Sequence, residues 1–512
     1  MFYRPIWISG RYDANTHSAI IYNLVSGISY FFEDVSADVM SYVLDTGRNK
    51  EINISQISID LDLTLDDLRD FLQELSFKGV INNTHTDDYA LNLYREEMAK
   101  SRQRGDINNV EMFEEKEDAE QDYLNRTNTA VFSSLIELTY RCSENCIHCY
   151  NPGASRNSQE NNTRNNFVEL KLDEYKKIID DFYEQGLVRV CLSGGDPFSK
   201  PIIWEIIEYL YERDIVFDIY TNGQLLYGNE EKLANYFPCS IGLSIYSDLP
   251  DVHDTITRVK GSLDKTIKVL DKITSLSVPV SIKCCVMRNN YKSYRGVSRL
   301  AKKYASALQI DCNVFDSVDG DACASSLLRL SKEALKIILR DKDTPLYVGP
   351  ELNDFGAKPL PKNRNACSAG YSGFCLTPDG NLTLCVSFPS TIGNLRTNDL
   401  RNILSDPNLL WWKKQKLTDY DGCGSFDYCD YCGLCPGLNF SKNGTPLKPC
   451  DNNCFVAQVR KEVADLLKNN HDPLNGKSVD EALKLLPEEV ISAPRRIQER
   501  NFYGKKINRL LE

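Results

Sequence analysis

The first 141 residues of this 512-residue chain contain no cysteine, and no apolar run anywhere approaches the ~20 residues of a membrane span. Positive charge is also in deficit. Sixty Lys and Arg stand against 72 Asp and Glu, a formal charge of −12 with a pI near 5.2, which excludes a general affinity for nucleic acid. Residues 1–10 lack the basic and apolar halves of a secretory signal. The expectation is a cytoplasmic protein with neither a nucleic-acid nor a membrane partner. At ~150 residues per domain the length suggests about three domains, large enough to bury a core without covalent staples.

What the chain does have is cysteine, 18 in all. In a reducing compartment these point to metal or redox chemistry rather than disulfides. Three lie in Cys142-Ser-Glu-Asn-Cys146-Ile-His-Cys149, directly after the apolar, β-prone run 131–138. Three thiolates on one short loop can hold three irons of a cubic [4Fe–4S] cluster and leave the fourth iron open. A zinc site is the alternative, and it would need a fourth ligand. Nine more fall late in the chain: Cys367, Cys375, Cys385, Cys423, Cys429, Cys432, Cys435, Cys450 and Cys454. Cys191, Cys239, Cys284, Cys285, Cys312 and Cys323 are scattered, mostly in apolar contexts, and read as small buried hydrophobes.

Residues 1–95 read as one unit. β-prone stretches at 5–10 and 17–32 are separated by a polar turn at 11–16. Helical patterns follow at 35–44, 54–59 and 64–77, with Thr64 as a cap and Gly79 closing the last. Residues 96–130 are charged, with Glu114, Glu115, Glu117, Asp118 and Glu120 forming a solvated run, and read as a partly helical linker. From 131 to 315, strands are expected near 133–138, 188–192, 216–220, 240–245, 280–286 and 308–313. Helices lie between them, the clearest at 172–185, ended by Gly186. Six β-α units imply a parallel α/β sheet with right-handed crossovers and functional residues at the strand C-termini. Residues 316–455 are loop-rich, and 456–512 read as a helical tail with a basic end, Arg495 to Arg509.

The C-x3-C-x2-C loop, with His148 before its last cysteine, resembles the radical S-adenosylmethionine (SAM) enzymes. In that family the open iron binds the amino and carboxylate groups of SAM, and electron transfer releases a 5'-deoxyadenosyl radical. The resemblance implies a partial (β/α)6 barrel. Ser193-Gly194-Gly195-Asp196-Pro197 is similar to the family's glycine-glycine-glutamate-proline motif, which binds the SAM amino group, with Asp196 in place of glutamate. By the same resemblance Asn222 and Ser244, at the ends of the third and fourth strands, are SAM contacts. Arg258 or Lys260 is expected to face the SAM carboxylate and 286–290 to support adenine, with Ser262 expected to cap a helix. For each of these polar residues, Asn222 and Ser244 included, strand-end turn chemistry is the alternative. The late cysteines, with the Asp379-Gly380 turn before Cys385, resemble the SPASM extension and its two auxiliary [4Fe–4S] clusters. Eight thiolates suffice for two cubes. The expected partition is Cys429, Cys432, Cys435 and Cys454 for one, and Cys367, Cys375 and Cys385 with Cys423 or Cys450, or an open iron, for the other.

The front unit resembles a winged helix and the PqqD-like peptide-recognition domain. Its acidic residues Asp60, Asp62, Asp66 and Asp67 argue against DNA. The combination implies a peptide-modifying radical SAM/SPASM enzyme. Its partners would be a ribosomally made precursor with a leader, and an electron donor such as flavodoxin or ferredoxin. It would install a carbon–carbon or thioether cross-link. Two alternatives stand beside it: an anaerobic sulfatase-maturating-type enzyme, and a zinc-binding winged-helix regulatory protein.

Overall fold

The structure is a computed structural model that describes residues 1–104, 118–151, 168–316, 324–351, 365 and 367–487. Cys323, the basic residues of the C-terminal end and most of the acidic run at 114–120 lie outside the described residues.

Six parallel strands form the central sheet: β4 (Ser133–Thr139), β5 (Arg189–Gly194), β6 (Val216–Thr221), β7 (Ser240–Ser244), β8 (Val280–Cys285) and β9 (Ala307–Asp311). Each falls within two residues of its expected place, because each is a short apolar run between turn residues. They stand in sequence order, as consecutive βα units require. The helix Leu172–Glu184 buries Tyr175, Ile178, Ile179 and Phe182 against the sheet.

Three further strands extend the sheet past β4: β10 (Gly373–Leu376), β11 (Asn381–Cys385) and β12 (Phe388–Asn394). β10 runs parallel to β4, with Cys375 opposite Leu135, and β11 and β12 follow antiparallel. Cys375 and Cys385 therefore lie on strands of the same sheet whose β4 leads into the three-cysteine loop.

The front unit has three antiparallel strands, β1 (Ile8–Asp13), β2 (Ser18–Asn23) and β3 (Ile28–Glu33), in the order β1-β2-β3. The expected stretch at 17–32 is in fact two strands. Asn23 splits it, its carboxamide oxygen accepting from the Val25 and Ser26 amides to form a tight turn. The helix Leu65–Phe77 is capped as expected: the Thr64 hydroxyl accepts from the Asp67 amide, and Gly79 adopts positive φ past its end.

This unit packs directly against the barrel. Its core residues Trp7, Ile8, Tyr22 and Val25 share one apolar cluster with Phe132, Val188, Val216, Phe237 and Cys239, at the N-terminal ends of the barrel strands. Arg4 and Arg48 both bond Asp214 in the turn before β6. The helix Asp88–Arg104 crosses the expected domain boundary at 95/96. From it Arg95 donates to the Ala234 carbonyl and Arg102 to the Ser277 carbonyl, both from buried positions. The strand ends it covers are opposite the cysteine loop, which follows the C-terminal end of β4.

Asp214→Ala would leave two buried guanidinium groups without their carboxylate. The expected result is a loss of about 3 kcal/mol, read as a lower melting temperature and faster proteolytic cutting between residues 88 and 132. An unchanged melting curve would show that the docking does not depend on this pair.

Candidate active site

The turn after β5 is held against the end of β4 by main-chain contacts. The Gly195 amide donates to the Thr139 carbonyl at 2.7 Å and the Asp196 amide to the Arg141 carbonyl at 2.9 Å. A Cβ on Gly194 would lie 2.3 Å from the Thr139 oxygen, and one on Gly195 would lie 2.3 Å from the Arg141 oxygen. Only glycines permit this approach, and Gly194 also takes φ +122°. The glycine pair thus fixes the first residues of the cysteine loop. The loop is held from its other side by the helix Pro250–Thr257, whose Thr257 and Ile256 carbonyls accept from the Asn145 and Ile147 amides, each at 3.0 Å. Asn151, just past the loop, donates to the Gly194 carbonyl at 2.8 Å.

Cys142, Cys146 and Cys149 line one cavity of about 400 Å³ at the C-terminal ends of the parallel strands, together with Gly194 and Gly195. Asn222, Ser244 and His148 line it too. Asn222 donates to the Cys142 sulfur at 3.3 Å, as does the Glu144 amide at 3.4 Å. Burial pushes the Cys142 thiol up to about 12, and Cys146 well above its usual range, where the nearby Glu144 adds to the effect. Thiols this disfavoured as free thiolates need a cation to ionise, while N–H groups already aim at sulfur. That is a donor set suited to an iron–sulfur cluster.

Asp196 and Pro197 do not line the cavity. The Asp196 side chain is fully buried; it accepts from the Thr221 hydroxyl at 2.9 Å and caps the turn Pro197–Ser199 through the Phe198 amide. Burial raises its carboxyl to about 6. With one methylene fewer than glutamate it turns inward, so the motif meets the cavity through Ser193 and its glycines. Arg258 and Lys260 are exposed and outside the cavity lining. Arg258 sits in the left-handed position that ends its helix. Ser262 is not the cap: Gly261 holds that position, and Asp254 accepts from the Gly261 and Leu263 amides. Asn290 is buried, bonding the Tyr246 and Cys285 carbonyls.

Several cavity residues gave little signal in sequence. Glu144 is buried beside Cys146, its carboxyl raised by burial to about 8. Tyr246 meets His148 edge-on with ring centroids 4.7 Å apart, and stacks on buried His253. Cys284 and Cys285, expected as simple core residues, line the cavity, as do Tyr220, Lys283 and Gln309. Single polar residues inside apolar strands carry no motif. Their alternation toward the lumen is the only clue.

The late cysteines form two groups. Cys423, Cys429, Cys432 and Cys454 line one cavity of about 320 Å³. Cys435, expected among them, lies instead beside Cys385 and Cys367. Its thiol is raised to about 11 by burial first, with those two thiols adding to it. The physical reason is Gly437. The helix Pro436–Asn443 presses its first turn against the β11–β12 turn, where a Cβ on Gly437 would lie 2.2 Å from the Ser387 oxygen. Cys435, at the cap of that helix, is carried to Cys385. Cys375 is buried on β10, its thiol raised by burial and by neighbouring Glu137 and Cys385. Cys450 is buried at the start of the helix Asp451–Lys468, outside the four-cysteine cavity.

The radical SAM superfamily matches residues 136–299, and the SPASM iron–sulfur cluster-binding domain matches residues 367–436. The chain therefore carries a radical SAM domain and a SPASM extension. It is similar to the antilisterial bacteriocin subtilosin biosynthesis protein AlbA of Bacillus subtilis, 24% identical over 321 residues, which span 60% of this chain and 68% of that protein. It is also similar to the AdoMet-dependent heme synthase of Methanosarcina barkeri, 26% identical over 341 residues, 61% of this chain and 93% of that one. Among solved structures, Streptococcus suis SuiB bound to precursor peptide SuiA aligns with a TM-score of 0.53 at 16% identity, covering 89% of this chain and 100% of SuiB. At that identity the match carries the fold alone. These matches leave the zinc-binding regulatory reading without support.

Gly195→Ala tests the loop anchor. The added methyl meets two backbone oxygens, Arg141 at 2.3 Å and Tyr140 at 2.6 Å, so the loop must move. SAM cleavage should fall at least about 100-fold, the loss expected when reacting groups shift by about 1 Å. The late cysteines should keep their iron. Cleavage within twofold of the parent would show that the close approach is dispensable.

Proposed function

We propose that this enzyme modifies a ribosomally made precursor peptide, closing a carbon–carbon or thioether cross-link in its core. The observation that carries the reading is the front unit. Among the described residues β3 pairs only with β2, so its outer edge is free to accept a strand. The helix Leu65–Phe77 runs alongside: Phe71 meets Phe32 edge-on at 6.4 Å, and the Tyr30 hydroxyl donates to the Lys78 carbonyl. Phe77, 85% exposed, stands at the C-terminal end of that helix. The β1 edge is capped at its start, where Arg48 donates to the Ile6 and Ile8 carbonyls. A leader added to β3 would be tethered near the barrel and raise the local concentration of the core.

The similarity to a bacteriocin biosynthesis protein, and the 89% coverage by a fold solved with a precursor peptide, support this reading. The heme synthase similarity spans 61% of the chain. A sulfatase-maturating-type enzyme has no need of the front unit, which disfavours that alternative.

In this reading Cys142, Cys146 and Cys149 hold the SAM cluster, and Gly194, Gly195, Asn222, Ser244 and His148 border SAM. Cys423, Cys429, Cys432 and Cys454 hold one auxiliary cluster, and Cys367, Cys375, Cys385 and Cys435 the other, with Cys450 spare. When bound, these groups supply a 5'-deoxyadenosyl radical able to take a hydrogen atom from the substrate, and clusters able to accept the electron released on bond closure. The cysteine count suits a cytoplasmic setting, where a flavodoxin or ferredoxin would supply electrons.

The test uses a candidate precursor peptide, sought among short open reading frames beside the gene, with SAM and dithionite under anaerobic conditions. A product lighter by two hydrogen atoms is expected. Phe77→Glu should weaken binding of the leader about tenfold and slow modification, while SAM cleavage without peptide stays intact. An unmodified peptide would overturn the peptide reading. Full-rate modification by the variant would remove Phe77 from it.

A further inference from the structure

The wall of the active-site cavity contains a lysine with no ion-pair partner among the described residues. Lys283 is the fourth residue of β8, and its side chain points into the barrel lumen. In the ladder it stands between Ser244 of β7 and Gln309 of β9. Its side chain does not continue toward the strand ends. It folds back across Gly242, and its ammonium lies 3.8 Å from the centre of the Tyr220 ring on β6. Gly242 makes this path: a Cβ there would lie 2.5 Å from Lys283 Cε and 2.7 Å from Tyr220 Cδ1. Nζ also donates to the side-chain oxygen of Gln309.

An ammonium has three donors and a full positive charge. The ring face and one amide oxygen satisfy part of that demand. Among the described residues no carboxylate lies within ion-pair distance of Nζ. The acidic and titratable groups that face it from neighbouring strands are Cys191 on β5, Asp218 and Tyr220 on β6, and Asp311 on β9. Asp218 is taken by Arg189, whose Nε and Nη2 donate at 2.6 and 3.0 Å. Asp311 accepts from the Asn313 amide at the mouth. Cys191 and Tyr220 are held neutral by burial. Burial likewise lowers the Lys283 ammonium from its ordinary range. A partly desolvated cation facing a cavity gains most from an entering anion.

The depth of the site separates two sources of that anion. The glycine pair ends β5 at Gly194, whereas Nζ is drawn back to Tyr220 and Gly242, which pair with each other one pleat below the strand ends. A group bound at Nζ lies deeper in the lumen than the cysteine loop and the glycines. We propose that Lys283, held over Tyr220 by the space at Gly242, is the cation of a carboxylate-binding subsite that seats an acidic side chain of the substrate. This assignment rests on the peptide reading above.

The test compares the parent with Lys283→Met, which keeps the length and removes the charge, and Lys283→Arg, which keeps the charge. Each is checked first for parental iron content and melting temperature. Cleavage of SAM without peptide gives KM for SAM. Anisotropy of the labelled precursor gives its Kd, and turnover gives its KM. The expected result is a tenfold or greater rise in precursor Kd and KM for Lys283→Met, partial recovery in Lys283→Arg, and an unchanged KM for SAM. Replacing one core Asp or Glu of the precursor by its amide should raise Kd similarly in the parent and add nothing in Lys283→Met. A rise confined to the KM for SAM would assign the lysine to the SAM carboxylate and overturn the proposal, as would an unchanged precursor Kd or losses that add for every acidic residue. Failure of the parent to modify the peptide at all is a separate outcome, which overturns the peptide reading instead.

Discussion

The contact between the Gly194-Gly195 turn and the last residues of β4 is the constraint on which the rest of the site depends. Two amide–carbonyl bonds at 2.7 and 2.9 Å, with no room for a Cβ, fix where the cysteine loop leaves the sheet. Buried amides and carbonyls must be paired, so the pairing of this turn with β4 settles the loop's origin before any cofactor binds. The Thr257 and Ile256 carbonyls then close the loop from the far side. A loop anchored by main chain at its origin and at Asn145 and Ile147, and by the Asn151 side chain just past its end, presents three thiols to one cavity.

The same strand carries a second load. β4 pairs with β5 on one side and β10 on the other, so the barrel strands and β10–β12, which carry Cys375 and Cys385, are one continuous sheet. The front unit is joined by different means, through a shared apolar cluster and arginines that reach barrel carbonyls and Asp214. It caps the N-terminal ends of the strands. The chemistry-bearing loops occupy the C-terminal ends, as parallel α/β folds favour. A substrate held at β3 must therefore pass along the outside of the barrel to reach the cavity, which places a length requirement on the segment between leader and core.

The order of the barrel strands was legible because each combines an apolar run with turn residues, and all six fall within two residues of expectation. The cysteine loop and the glycine pair were legible because dense, spaced motifs leave few other readings. What sequence spacing could not supply was three-dimensional grouping. The runs Cys429-x2-Cys432 and Cys432-x2-Cys435 look alike, yet Gly437 carries Cys435 away to Cys385. Asp196 resembles a glutamate in a motif, yet one methylene turns it into the core. Lys283, Tyr220 and Gly242 come from three strands, and nothing in their separate neighbourhoods announces that they meet. Helix 88–104 was obscured by its high charge, because two of its arginines are buried against backbone carbonyls instead of solvated.

The central claim is that the loop at Cys142, Cys146 and Cys149 carries an iron–sulfur cluster that cleaves SAM, separate from the late cysteines. Iron analysis and 5'-deoxyadenosine formation, measured on anaerobically reconstituted parent and on the triple alanine variant at those positions, test it most directly. The account predicts about twelve irons per chain in the parent and about eight in the variant, with 5'-deoxyadenosine formation abolished. Zinc in place of iron, or 5'-deoxyadenosine formation that survives the triple substitution, would contradict it.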